Sequence, residues 1–158
     1  TFGHWEIDTV IGSADSSEVL LTLDERMTRK RHIVKLPAKT AKAVEEGLKQ
    51  LRKEYGKAWS KVFRTITCDN GSEFSSLPEL FTDTKIYYAH PYSAWERGTN
   101  EKQNSLIRRF FPKGKSFTSV SEEAISLIED WINNLPRKFL EYHSPDEVFN
   151  SVLFDLAI

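Results

Sequence analysis

The sequence has little cysteine, no long apolar run and almost no net charge. Cys68 is its one cysteine, so a disulfide framework is excluded and a reducing compartment such as the cytoplasm fits best. No stretch approaches the roughly 18 apolar residues that a membrane-spanning helix needs, and the first residues lack the pattern of a signal peptide. We therefore expect a cytoplasmic location and no membrane partner.

The charges are nearly balanced, with 22 Lys and Arg against 23 Asp and Glu and a formal charge of −1. This balance argues neither for nor against a nucleic-acid partner, because an enzyme can keep acids at its active site and bases along a binding groove. With 158 residues, 39% of them hydrophobic, the chain suits a single globular domain with one core.

Hydrophobic periodicity predicts an α/β fold in which helices flank a mixed sheet. The first three predicted strands, over residues 4–11, 19–23 and 31–36, are joined by short connections and should pair as an antiparallel meander. The remaining predicted elements are a helix that Thr40 caps and Gly56 ends, strands over residues 62–68 and 86–89, a helix over about 96–111, and two helices capped by Ser121 and Ser144. The Ser121 helix is expected to bury Trp131 in the core.

Three acids stand out by their positions in these elements. Asp8 interrupts an apolar strand, where a carboxylate is costly to desolvate unless it is paired, protonated or bound to a metal. Asp69 follows another apolar strand at its exit, where α/β proteins gather functional groups. Glu101 lies on a helix and shares its polar face with Asn104 and Arg108. The helix can therefore pack on the sheet while it presents Glu101 beyond the sheet edge.

Carboxylates that converge from two strands and one helix would be hard oxygen ligands for Mg²⁺ or Mn²⁺. Such a site suits two-metal phosphodiester hydrolysis or transfer, in which the ions stabilise the attacking and leaving oxygens. Spacing alone leaves plainer alternatives open. Asp69 is also a suitable turn residue before Asn70 and Gly71, and Glu101 is also a suitable exposed helical acid paired with a base.

The residues around the acids narrow these alternatives. The three acids lie in the segments GHWEIDTVIG at 3–12, TCDNGSEF at 67–74 and PYSAWERGTNE at 91–101. Together with the tail over residues 133–149, these segments resemble, in the same order, the catalytic core of transposases of the insertion-sequence-thirty family. The second and third segments also resemble retroviral integrase cores, a wider group with the ribonuclease-H-like fold. A match of three motifs in order is far more specific than any one of them.

The resemblance implies a ribonuclease-H-like core with a five-stranded mixed sheet that cleaves DNA and transfers strands. By this likeness Asp8, Asp69 and Glu101 are the catalytic and metal-binding acids, with two Mg²⁺ or Mn²⁺ ions per site. The implied partners are DNA, as transposon ends and target, and further copies of the chain in a dimer or larger assembly. Family members carry an N-terminal helix-turn-helix region that has no counterpart here, so we expect residues 1–158 to form the single catalytic domain, near the bacterial nucleoid.

Other side chains near the acids are candidates for supporting roles. We expect DNA contacts from four residues, namely Tyr92, Arg97, Asn104 and Arg108. Asn70 and Glu73 flank the second acid and are expected to orient it or its metal-bound water. The plainer alternatives are a helix start for the segment around Arg97 and a solvated charge for Arg108.

Two competing functions remain open on the sequence. The acids do not distinguish water from a DNA 3′-hydroxyl as nucleophile, so a ribonuclease-H-like nuclease without strand transfer fits the same residues. A degenerate core kept as a DNA-binding or oligomerisation module is the non-enzymatic alternative, and the presence of all three acids argues against it.

Overall fold

The computed structural model describes residues 1–90 and 98–158, with the backbone alone described for 98–101. The strands are β1 (His4–Ile11), β2 (Val19–Glu25), β3 (Arg31–Leu36), β4 (Thr65–Cys68) and β5 (Lys85–Tyr88). The α-helices are α1 (Ala41–Tyr55), α2 (Trp59–Val62), α3 (Leu77–Leu80), α4 (Gly98–Ile107), α5 (Glu122–Asn134) and α6 (Pro145–Asp155). None of the described helices is both long enough and apolar enough to cross a bilayer.

The five strands form one mixed sheet in the order β3-β2-β1-β4-β5. Strands β1, β2 and β3 pair antiparallel, whereas β4 pairs parallel to β1 and β5 parallel to β4. The predicted α/β fold, with an antiparallel meander and two further strands, is therefore confirmed. The parallel β1–β4 pair brings the second half of the sheet alongside the first strand of the chain.

Alternation along β1 directs its side chains into two cores, one on each face of the sheet. Trp5 and Ile7 are fully buried against the layer that contains α1, whereas Val10 packs on the opposite face with residues of α4 and α5. An aromatic stack anchors the first core, because the Phe63 ring lies 4.3 Å from that of Trp5 and 3.9 Å from that of Trp59. Helices therefore pack on both faces of the sheet.

The boundaries of α1, α5 and α6 agree with the predicted caps, whereas α4 ends at Ile107, four residues before the predicted end at 111. Thr40 and Ser121 each accept a hydrogen bond from the backbone N–H three residues later, and Ser144 forms a reciprocal capping box with Glu147. Gly56 ends α1 with a φ of 56°, a conformation that favours glycine. The prediction missed α2, so β4 begins three residues later than expected.

Helix α5 covers the edge strand β3 with polar side chains. Asn133 accepts from the Arg31 N–H and donates to the Arg31 carbonyl, both at 2.8 Å, and the Glu129 carboxylate accepts from the Ile33 N–H at 2.9 Å. Because Asn133 is buried here, Trp131 lies on another side of the helix and is 37% exposed. The prediction of a core Trp131 is therefore wrong, and its ring packs edge-on against Phe110 instead, at 5.1 Å.

Candidate active site

The parallel register of β1 and β4 brings the first two predicted acids to the same place. The last paired residues are Glu6 and Thr67, and each acid lies two residues further along the chain, Asp8 within β1 and Asp69 just beyond the end of β4. Continued by these two residues, the register sets Asp8 beside Asp69, on strands separated by roughly 5 Å. Both side chains are partly exposed, and the interpretation of Asp69 as a strand-exit residue is consistent with the end of β4 at Cys68.

Asp8 lies on the face of the sheet that α4 covers. Its neighbour Ile7 points into the α1 core, so alternation directs Asp8 to the other face, where Val10 packs near Ile107 at the end of α4. Glu101 lies in α4, one turn before Asn104. The backbone therefore brings the three predicted elements to one region, while the Glu101 side chain lies outside the described residues.

The Asp8 carboxylate has a hydrogen-bond donor at each oxygen. The Thr9 backbone N–H donates to Oδ1 at 2.8 Å, and Nδ2 of Asn104 donates to Oδ2 over a longer distance of 3.4 Å. An ionised carboxylate offers about four lone-pair directions, and these two contacts orient the group. Asn104 connects the first acid directly to α4.

Asp69 and Glu73 converge over Gly71. The Gly71 N–H donates to Oδ1 of Asp69 at 2.8 Å, in the turn that the Asp-Asn-Gly sequence predicts. A Cβ on Gly71 would overlap Oε1 of Glu73 and lie only 2.8 Å from Oδ1 of Asp69. The missing side chain of Gly71 is therefore what lets two carboxylates approach each other here.

Glu73 is buried, and its charge is balanced by a base from another part of the chain. Nζ of Lys39 lies 3.4 Å from Oε2 of Glu73, and the Lys39 side chain is itself half exposed. Asn70, the other residue predicted to flank the second acid, is exposed. Of the two, Glu73 is therefore the one that the structure brings next to Asp69.

Two of the four residues predicted to contact DNA, Asn104 and Arg108, are among the residues that the structure describes. Tyr92 and Arg97 lie outside the described residues. The guanidinium of Arg108 donates to the carbonyls of Ile11, at 3.1 Å, and Phe111, at 3.3 Å, so it joins the end of β1 to the turn after α4. Arg108 and Asn104 thus have structural partners within the chain, and their contacts with DNA stay predictions.

A buried polar network behind Asp8 was not predicted from the sequence. Arg31 makes a bidentate ion pair with Asp24, with both N–O distances at 2.7 Å and both side chains fully buried. Asn104 accepts from Arg31, and Gln103 donates to Asp24 at 3.1 Å and accepts from Arg137 at 2.8 Å. Burial lowers the pKa of Arg137. In the sequence, the adjacent amides of Gln103 and Asn104 were the signal that could have indicated this buried network.

The donor set of the region suits a hard divalent cation. Asp8 and Asp69 supply carboxylate oxygens from adjacent strands, which is the ligand chemistry that Mg²⁺ and Mn²⁺ prefer. Among the side chains that the structure describes, no three His, Cys, Asp or Glu residues group as a metal site. The predicted third ligand, Glu101, is not among those side chains.

Comparison with known proteins matches the chain to transposases of insertion sequence elements. No protein-family model matches the chain. It is 41% identical to the transposase for insertion sequence element IS4351 of Bacteroides fragilis, over 96% of this chain and 46% of that protein. It is 34% identical to the transposase InsI for insertion sequence element IS30A of Escherichia coli K12, over 94% of this chain and 38% of that protein. The chain thus spans less than half the length of these relatives.

A solved structure supports the fold independently of these relatives. The catalytic core domain of BIV integrase superposes with a TM-score of 0.71, and the match covers 100% of both chains at 16% sequence identity. At this identity the likeness establishes the fold alone. The mixed five-stranded sheet flanked by helices is therefore the ribonuclease-H-like fold of an integrase core, as the sequence motifs predicted.

Proposed function

Because this chain is homologous over almost its whole length to transposases of the insertion-sequence-thirty family, we propose that it is the catalytic core of a DNA transposase. The proposed reaction is metal-dependent cleavage of DNA followed by transfer of the cleaved strand. The observation that carries the proposal is the parallel pairing of β1 with β4, whose register, continued by two residues, would set Asp8 beside Asp69. Helix α4, which contains Glu101, packs on the same strand β1.

Asp8, Asp69 and Glu101 are the residues that would hold the divalent ions. Two Mg²⁺ ions bound there would stabilise the attacking and leaving oxygens of an in-line displacement at phosphorus. The donors that contact the acids, which are the Thr9 and Gly71 backbone N–H groups and the Asn104 amide, fix the rotamers of Asp8 and Asp69. Fixed rotamers reduce the reorganisation needed when a ligand binds.

We propose that Glu73 assists the second acid. Its carboxylate lies next to that of Asp69 over Gly71, and the positive charge of Lys39 offsets part of the repulsion between them. Asn70 is exposed on the same turn and is suited to orient a water molecule at the site. Both assignments follow the general rule that side chains around metal ligands set ligand orientation.

DNA is the substrate that the family relationship favours. We propose that Tyr92, Arg97, Asn104 and Arg108 contribute contacts to it, since in the sequence all four lie within or close to the helix that contains Glu101. Arg108 is the basic residue of these four whose side chain the structure describes, and it contacts Ile11 at the C-terminal end of β1. We further propose that the active complex contains two or more copies of the protein, because cleavage at two element ends needs two active sites.

The decisive experiment removes one acid at a time. In the complete protein, Asp8→Asn, Asp69→Asn and Glu101→Gln are each expected to lower Mg²⁺-dependent cleavage and joining of pre-cleaved ends by at least about 1,000-fold, because each would remove a metal ligand. Glu123→Gln, at an exposed acid of α5, is the matched control. Activity at the wild-type level in any of the three variants would refute the assignment. Cleavage without joining by the wild-type protein would identify a nuclease.

A further inference from the structure

The contact between α4 and the sheet is unusually polar around the acid site. Gln103 is buried to 1% exposure and Asn104 is half buried, so two amides lie where a helix usually places apolar side chains. Ile107, one turn later, is the fully buried apolar residue of the described part of α4. The seat of the helix near Asp8 therefore depends on hydrogen bonds.

The orientation of the Asn104 amide is set by Arg31. A guanidinium can only donate, so its Nη2, at 2.9 Å, requires the amide oxygen of Asn104 to face it. The amide nitrogen is then directed to Oδ2 of Asp8. An asparagine without such a neighbour can rotate its amide by half a turn and present an oxygen to a carboxylate, which would repel it.

Arg31 is itself fixed from two sides. Its guanidinium is held in the bidentate pair with Asp24, and its backbone is held on both N–H and carbonyl by the Asn133 amide. Gln103 closes the network, because its amide donates to Asp24 and accepts from Arg137, which lies in the segment after α5. The donor that reaches Asp8 therefore ends a chain of contacts linking β2, β3, α4 and α5.

We propose that Arg31 and Asn104 are positioning residues for the reaction: Arg31 fixes the Asn104 amide, and Asn104 orients the Asp8 carboxylate while it seats the helix that contains Glu101. The inference rests on the proposed function, because it assigns these residues to the metal site of that reaction. Neither residue is assigned a contact with the reacting atoms.

The test compares two variants that should each disturb the orientation of the Asp8 carboxylate, one at Asn104 and one at the ion pair behind it. Asn104→Leu removes the donor to Asp8 with little change in size. The double variant Asp24→Leu/Arg31→Met removes the buried ion pair as a unit and leaves Asn104 in place without its orienting partner. Asn150→Leu introduces the same leucine at an exposed asparagine of α6 and is the matched control.

Four quantities are measured for each variant of the complete protein: the Kd for Mn²⁺ by calorimetry, kcat and KM for strand transfer, and the thermal midpoint. Both test variants are expected to raise the Kd for Mn²⁺ about 10- to 100-fold and to lower kcat at least about 10-fold, as for other residues that orient metal ligands. The thermal midpoint of Asn104→Leu is expected to stay well above the assay temperature, so that its loss of metal affinity and kcat is measured on folded protein.

The outcomes separate this inference from the proposed function. Wild-type metal affinity and kcat in Asn104→Leu would overturn the positioning role while the acid variants still lose activity. Recovery of wild-type metal affinity and kcat in Asn104→Leu at temperatures well below its thermal midpoint would indicate a purely structural role and would also overturn it. If Asp8→Asn binds Mn²⁺ and reacts like the wild type, the proposed function itself fails.

Discussion

Replacing Arg31 by Met tests how the buried ion pair contributes to stability. The Arg31 and Asp24 side chains are both fully buried, and two N–O contacts of 2.7 Å join them. Removal of the cation leaves a buried carboxylate without its bidentate partner, which destabilises a protein by about 3–5 kcal/mol. A domain of this size is stable by about 5–15 kcal/mol, so the loss is a large fraction of the total.

The double variant Asp24→Leu/Arg31→Met is expected to recover most of this loss. Replacement of both charges by apolar groups of similar volume is often neutral, because the desolvation penalty disappears together with the attraction. The exposed pair of Arg52 and Asp83, joined at 2.9 Å with side chains 40% and 33% exposed, provides the comparison. Its removal is expected to change the free energy of unfolding by less than about 1 kcal/mol.

Urea denaturation gives the four free energies of the double-mutant cycle, and repetition in 0.5 M NaCl separates buried from surface pairs. The buried pair is expected to be insensitive to about 0.5 M salt, since ions screen it poorly. A loss below about 1 kcal/mol for Arg31→Met, or a double variant as unstable as the sum of the single variants, would refute the reasoning.

Two further predictions concern the residues around the acids. Gly71→Ala is expected to displace Glu73 from its place beside Asp69, because the new Cβ would overlap the Glu73 carboxylate. DNA cleavage should then fall at least about 10-fold, while the free energy of unfolding measured in urea should change less. Unchanged cleavage would contradict this prediction. Burial, together with the positive charges of Arg26 and Arg64, lowers the pKa of His4 below its ordinary value of 6.5. The unfolded chain then binds the proton more readily, so stability is complete above about pH 6.5 and falls below it, and His4→Gln should flatten this dependence in urea titrations at pH 5 to 8.

The sheet and the helix caps were predictable because they depend on local patterns. Alternation gave the strands, and Thr40 and Ser144 are side chains whose capping geometry needs only neighbouring residues. The burial of Asn133 was not predictable, because its partner is the backbone of Arg31 on a strand about 100 residues away. Trp131 was misplaced for the same reason, since an apolar pattern does not reveal that an amide takes the core position.

The acid site likewise has features that the sequence predicts and features that it does not. Asp8 and Asp69 were predicted from strand position and motif, yet their adjacency depends on a parallel register that pairs β1 with β4 across the whole of α1. The ion pair of Arg31 and Asp24 was missed because both residues lie at strand ends, where charges are ordinarily solvated. These two charged side chains are buried because α4 and α5 pack over them.

The cover of β3 by α5 has a consequence for assembly. An edge strand normally offers a row of N–H and carbonyl groups with which another chain can pair. Here Asn133 and Glu129 occupy three of these groups, at Arg31 and Ile33. Strand addition along this part of the edge is therefore blocked, so copies that associate on this side must do so through side-chain surfaces, and the sheet is protected from open-ended stacking into aggregates.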